Sequence, residues 1–192
     1  FKYKYSQPIE EQNNKDAERR LKKQVYPFIL RRLKQNVAKD LPDKLEFLSY
    51  CEMLPEQQDI YLDVLDYTRQ EIFKKIEKDG FAKSQMSILS ALLRLRQICC
   101  HPQLIGDVTN AKVRNSGKFE HLKDMIKEVI EQGHRVLLFS QFVTMLDIIR
   151  EWLEEEGIKH EYLTGATKNR KEDVDNFNNN ESIHIFLISL KS

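Results

Sequence analysis

Apolar positions along the chain follow two rhythms, and the change from one to the other divides the sequence. From Pro55, Tyr61, Leu65, Ile72 and Ile76 recur at helical spacing as far as Gly80. Pro55 suits a first helical position, Glu56 complements the positive end of the helix dipole, and Gly80 is a natural C-terminal stop. A second helix places Ile88, Leu92, Leu95 and Cys99 on one face and ends at His101-Pro102. Upstream, the first forty residues read as helix interrupted at Pro27, whose ring removes a donor and clashes with the preceding turn. Leu41-Pro42-Asp43-Lys44 breaks that pattern, and Glu46–Leu54 alternates as a strand or an extended crossing. Residues 103–115 read as a loop and as the best boundary.

After Ser116 short apolar runs alternate with helical periods. A helix is predicted from about Lys118 to Gln132, with Phe119, Leu122, Ile126 and Val129 inward and Gly133 closing it. Arg135–Ser140 is a strand, and the next helix carries Leu146, Ile149, Trp152 and Leu153 up to Gly157. His160–Leu163, Lys168–Asn178 and His184–Ser189 complete the alternation as strand, helix and strand. Strands apolar throughout and separated by helices predict an α/β fold, with a parallel sheet covered by helices on both faces.

In such sheets a ligand lies beyond the carboxyl ends of the strands. Those ends carry Ser140-Gln141, Thr164-Gly165-Ala166-Thr167 and Ser189-Leu190-Lys191. Small hydroxyls, an amide, a glycine and a lysine suit phosphate oxygens. Ordinary polar loops are the other reading of the same residues.

The chain has 192 residues, of which 41% are apolar. That is enough for a core and excludes a wholly disordered chain. Its longest apolar runs, such as Val136–Phe139 and Ile185–Ile188, are far too short to span a bilayer, and no secretion signal opens it. Three cysteines, two of them adjacent, give no disulfide framework and point to a reducing, intracellular setting. The net charge of +1 conceals a separation: residues 1–50 carry +5 and residues 151–192 carry −4. Eight cations and no acid fall between Arg19 and Lys39. Phe28, Ile29, Leu30 and Leu33 interleave with them, which predicts a docked amphipathic segment in a field that attracts polyanions.

Several chemistries are excluded within these residues. Gly117-Lys118 is followed by Phe119, and Lys112 stands where a phosphate-cradling loop needs its first glycine. No apolar strand ends in paired acids that would hold magnesium beside such a loop. Cys99-Cys100-His101 cannot close round one ion, because consecutive helical residues point about 100° apart. No serine or cysteine stands in a triad context. No catalytic residue and no metal site is therefore assigned.

Taken together, the motifs carry a resemblance. Pro27-Phe28-Ile29-Leu30-Arg31-Arg32-Leu33-Lys34, with Val37 and Leu41-Pro42-Asp43-Lys44, resembles the lobe-connecting region of the Swi/Snf-type helicase-like ATPases. Leu93-Arg94-Leu95-Arg96-Gln97-Ile98-Cys99-Cys100-His101-Pro102 is similar to that family's helical insertion, and Ser116-Gly117-Lys118-Phe119 to the start of its second RecA-like lobe. Gly133–Phe142 looks like motif IV. Leu163–Thr167 with Arg170 and Phe177-Asn178 looks like motif IVa, and Ile185–Lys191 like the start of motif V. Two departures stand out: Ser192 where alanine is usual, and a loop after Thr167 that looks shorter than in many relatives.

The resemblance implies a DNA-dependent ATPase that translocates on duplex DNA without separating the strands, with ATP and magnesium held between two RecA-like lobes. The chain would be a basic interlobe segment over 1–45, a helical insertion over 46–115 and part of the second lobe over 116–192. The phosphate loop and motif VI would lie outside it, so alone it would hold no cofactor and hydrolyse nothing. Ser140, Gln141, Gly165, Thr167 and Lys191 would grip the phosphates of double-stranded DNA without reading sequence. Arg31, Arg32 and Lys34 would lie near the hinge, where acids of either lobe, DNA and nucleotide phosphate are all open as partners. Arg94 and Arg96 are expected to pair with the acidic helix over 56–79 in preference to DNA. The missing ATPase lobe would be the protein partner, and the location cytoplasmic or nucleoid-associated in a bacterium, nuclear in a eukaryote. The competing expectation is a protein-interaction module, a helical docking arm on a flavodoxin-like domain. Such domains place acidic phospho-acceptors at strand ends, where this sequence has Ser, Thr and Lys.

Overall fold

The structure, a computed structural model, describes residues 1–32, 37, 42, 44–108, 113, 115–190. Leu33, Lys34, Leu41, Asp43, Lys191 and Ser192, all used above, lie outside the described residues. The chain divides into two units, Phe1–Leu48 and Ser49–Ser192.

In the first unit a π-helical turn, Lys2–Ser6, runs into a short helix α1 (Gln7–Glu10), followed by α2 (Lys15–Val25) and a 3-10 turn, Tyr26–Phe28. The break at Pro27 falls where the sequence puts it. A second break, between α1 and α2, is not visible in the periodicity. Asn13 takes a left-handed φ of 52° there, and the Asn14 carboxamide caps α2 by accepting from the amides of Asp16 and Ala17, both at 3.1 Å. The expected docking of Phe28, Ile29 and Leu30 is not found: they are 88%, 60% and 79% exposed. The 3-10 turn ends the helix before them, so no helical stripe forms for them to bury.

The second unit begins with an extended crossing from Ser49 to Leu54, not a strand. Then α3 (Pro55–Asp79) and α4 (Phe81–Cys100) form an antiparallel hairpin turned at Gly80, whose φ of 81° favours glycine. A 3-10 stretch, Pro102–Val108, replaces part of the expected loop.

One buried amide fastens this hairpin to the rest. Gln57 is fully buried and donates through Nε2 to the Ile98 carbonyl at 2.7 Å. Its Oε1 accepts from the amides of Leu54 at 3.3 Å and Gly117 at 3.1 Å. The next helix, α5 (Gly117–Glu131), starts at this point. Ser116 caps it, accepting from the Phe119 amide at 3.1 Å and donating to the Cys100 carbonyl at 2.8 Å. Gly117 packs so tightly that a Cβ there would lie 1.8 Å from the Glu52 carbonyl oxygen. Beside this junction His101, Phe119 and Trp152 stack edge to face, with centroid separations of 5.7 and 6.1 Å.

Three parallel strands follow, β1 (Val136–Ser140), β2 (His160–Leu163) and β3 (Ile185–Ser189), in the order β1-β3-β2. Helix α6 (Val143–Glu155) connects the first two and α7 (Arg170–Asn179) the last two. Val136 pairs with Ile185 and Ser140 with Ser189, while Leu163 pairs with Ile188. The main core lies on one face, where Ile126, Leu146, Ile149 and Leu153 pack with Ile185 and Leu187. On the other face Phe177, Ile183 and Phe186 form a second cluster with Leu163 and Ile188. Arg135 ties that cluster down, donating to the carbonyls of Ile183 and Phe177 with its guanidinium over the Phe177 ring.

The expected coverage of both faces holds for β2 and β3 but not for β1. Leu137 and Phe139 are 54% and 53% exposed. The cluster built on α7 reaches the two strands flanking it in sequence and leaves the outer face of β1 open.

Two consequences are measurable. Gln57→Leu strands two amides and a carbonyl without partners, and Gly117→Ala drives a methyl into a fixed carbonyl. Each should lower unfolding free energy by about 2–4 kcal/mol in denaturant titration, against near-neutral substitution at exposed Gln58. The second concerns Tyr162, which donates to Asp147 Oδ1 at 2.7 Å under the Arg150 guanidinium. Burial, then the Asp147 carboxylate, pushes its pKa up to about 12. The folded form thus holds this proton more tightly than the unfolded chain. The resulting stabilisation is complete below the unfolded pKa and disappears as pH rises through about 12. Ultraviolet titration should show one phenol ionising late, and Asp147→Asn should bring it earlier.

Candidate nucleic-acid interface

Because all three strands are parallel and in this register, their carboxyl ends emerge at one sheet edge. A hydrogen bond from the Leu190 amide to the Ser140 carbonyl, 3.0 Å, carries the pairing one step past the strands. Ser140, Gln141, Thr164 to Thr167 and Leu190 therefore share that edge.

Their chemistry is more specialised than residue type suggests. The Ser140 hydroxyl accepts from the Phe142 amide at 3.1 Å and donates to the Phe142 carbonyl at 3.2 Å. It closes the turn into α6. The Thr167 hydroxyl accepts from the Thr164 amide at 3.0 Å, and the Thr167 amide donates back to the Thr164 carbonyl at 3.1 Å. Thr164, only 7% exposed, accepts from the Ala166 amide at 3.3 Å. The two threonines shape a tight turn that presents Gly165 and Ala166 to solvent. Gln141 is half-buried, and its Oε1 accepts from Arg96 Nη2 at 3.0 Å.

That last bond corrects an expectation. Arg96 pairs not with acids of α3 but with the sheet edge, because it lies one helical turn before Cys100, where α4 docks on α5. Arg94, two residues away, lines an open groove of about 660 Å³ with Lys74, Lys75 and Lys78 and with the α3 acids Glu71 and Asp79. Arg96 is missing from the strand-end residues read from the sequence, whereas Thr164 is among them. The spacing from Arg96 to the docked helix end is the signal that marks it. Burial raises the Cys100 thiol pKa, opposed by the nearby Lys118 and Arg96 cations. Past Thr167, Lys168, Asn169, Arg170 and Lys171 rim an open depression of about 1050 Å³, together with Glu172 and Asp173.

Arg31 and Arg32 are exposed in the first unit, on the extended segment after the 3-10 turn. Lys34 and Lys191 lie outside the described residues. Among the described residues no group of His, Cys, Asp and Glu is arranged to hold a metal, and no helix is long and apolar enough to cross a membrane.

A parallel sheet with a donor-bearing carboxyl edge, preceded by a helical insertion, defines a partial RecA-like lobe of the helicase type. Residues 1–104 match the model of the SNF2-related domain, and residues 117–192 that of the helicase conserved C-terminal domain. The chain belongs to the SNF2-related family of helicase-like ATPases.

Among its relatives, nuclear protein STH1/NPS1 of Saccharomyces cerevisiae is 34% identical over 188 residues, covering 91% of this chain and 14% of that protein. The "uncharacterized ATP-dependent helicase MG018" of Mycoplasma genitalium is 32% identical over 193 residues, covering 100% of this chain and 18% of that protein. The solved Sulfolobus solfataricus SWI2/SNF2 ATPase core in complex with dsDNA is 34% identical. It superposes with a TM-score of 0.66, over 98% of this chain and 40% of that one. The chain thus spans under a fifth of the length of these two curated relatives.

The Thr164–Thr167 turn makes a direct test. Thr167→Val keeps the shape and removes the acceptor of the Thr164 amide. It should lower stability by about 1 kcal/mol and speed hydrogen exchange at that amide, whereas Thr167→Ser should do neither.

Proposed function

We propose that this chain is the duplex-gripping portion of an ATP-driven translocase on double-stranded DNA. The observation that carries the reading is the convergence of the Gln141 amide, the exposed Gly165-Ala166 turn and the Arg96 guanidinium at one edge of a helicase-type sheet. The Gln141 amide and the Gly165 backbone are phosphate-directed donors, Arg96 adds positive charge beside them, and none is arranged to read a base edge. Lys191 belongs to the same grip by sequence. The solved relative covering nearly all of this chain was captured with dsDNA, which supports the same partner here. In this reading residues 1–45 are the interlobe segment, 46–115 the helical insertion and 116–192 part of the second lobe, with Arg31, Arg32 and Lys34 at the hinge.

ATP and magnesium belong to the complete protein. The residues present here do not fit the phosphate-cradling role: Ser116 and Gly117 stand where the sequence comes nearest to such a loop. The Ser116 hydroxyl is taken by Cys100 and Phe119, and the Gly117 amide by Gln57. Hydrolysis needs the partner lobe, whose closing and opening would move two DNA grips relative to each other. The protein works wherever its duplex is, in a nucleus or on a bacterial nucleoid.

Binding of the chain to a short duplex, followed by fluorescence anisotropy, tests this. Affinity should be indifferent to sequence. It should fall steeply as salt rises, as cation-to-phosphate contacts dictate. The chain alone should turn over no ATP. Salt-insensitive binding, or none at low salt, overturns the reading.

A further inference from the structure

We propose that Arg96 is a positioning residue for the DNA grip: from the helical insertion it holds the Gln141 carboxamide oxygen-inward, so that the amide NH2 faces the phosphate. The inference rests on the duplex-gripping reading of the sheet edge and assigns to the insertion a role in building that edge.

The chemistry of the pair sets the orientation. A guanidinium carries donors only, so the Gln141 atom facing Arg96 Nη2 at 3.0 Å is the oxygen. The two amide hydrogens then point away from the helix. Without Arg96 the carboxamide is free to turn its oxygen toward an anion, which repels. Arg96 is itself exposed and Gln141 half-buried, so the bond contributes little to folding. Its geometry, however, spans 45 residues of sequence and joins α4 to the loop between β1 and α6. The end of α4 that carries Arg96 is itself fixed to α5 by the Ser116 and Gln57 hydrogen bonds. The guanidinium is thus presented from a held helix end.

A double-mutant cycle in the full-length protein separates positioning from plain attraction. Arg96→Met, Arg96→Gln, Gln141→Ala and the Arg96→Met/Gln141→Ala pair would be compared for duplex affinity across a salt series. Thermal midpoints would confirm the fold of each. Arg96→Met and Gln141→Ala should each weaken binding roughly three- to tenfold, and the pair no further than either alone. Arg96→Gln, a neutral donor, should retain most of the affinity, and the salt slope should stay unchanged in all variants.

Additive losses, or no loss on Arg96→Met, overturn the inference. So do equal losses in Arg96→Met and Arg96→Gln with a slope lower by about one, which mark a direct phosphate contact. Each of those results leaves the duplex reading standing. Failure of the unaltered protein to bind duplex overturns both.

Discussion

A single buried carboxamide holds the second unit in register. Gln57 sits in the first turn of α3, yet its two ends reach the last turn of α4 and the first residue of α5. An amide is suited to this position because it donates and accepts at once, and it meets two backbone groups that helix ends leave without intrahelical partners. Gly117 completes the junction by having no side chain, which lets the Glu52 carbonyl approach α5. A polar group with no exposure contributes little by replacing water, but its removal leaves several groups unsatisfied at once. The junction is therefore all-or-none rather than gradual.

What the junction fixes is the direction of α4 relative to the sheet. From Gln57 the constraint passes to Ile98 and Cys100, to the His101–Phe119–Trp152 stack, and through Trp152 to α6 and the core beneath β3. The same α4 carries Arg96 to Gln141. The insertion is thus part of the framework that shapes the strand-end edge, with two attachments to it, one buried and one at the surface.

Much of this was legible beforehand, and the parts that were not share a cause. Periodicity placed α3 and α4 and their Gly80 turn, and the apolar runs gave β2 its observed ends. The alternation of elements gave the parallel sheet. Patterning sees which residues want burial, so it passes over a glutamine whose burial is justified by backbone partners, two of them far away in sequence. It also reads Leu137 and Phe139 as covered, because it cannot tell how far the cluster built on α7 reaches across the sheet. In the arm it counts Phe28, Ile29 and Leu30 as an apolar stripe, although the 3-10 turn that takes in Phe28 ends the helix that would align them. At the sheet edge it names the strand ends Ser140-Gln141 and Thr164 to Thr167 by residue type, and the resemblance picks the grip residues from them. It missed Arg96, whose role depends on where a helix end docks.

The hydroxyls at that edge show why residue type and role differ. Serine and threonine at strand ends suggest direct donors to an anion; here Ser140 donates to its own backbone, while both threonines accept from backbone amides and thereby also close a turn. Their effect is on shape: one turn leads into α6, and the other lifts Gly165 and Ala166 clear of the sheet. A surface built this way offers an anion fixed backbone geometry, one oriented amide and positive charge. None of those distinguishes one base from another. Sequence indifference in the proposed grip is then a property of how the turns are closed, and it would survive exchange of Ser140 or Thr167 for any residue that closes the same turn.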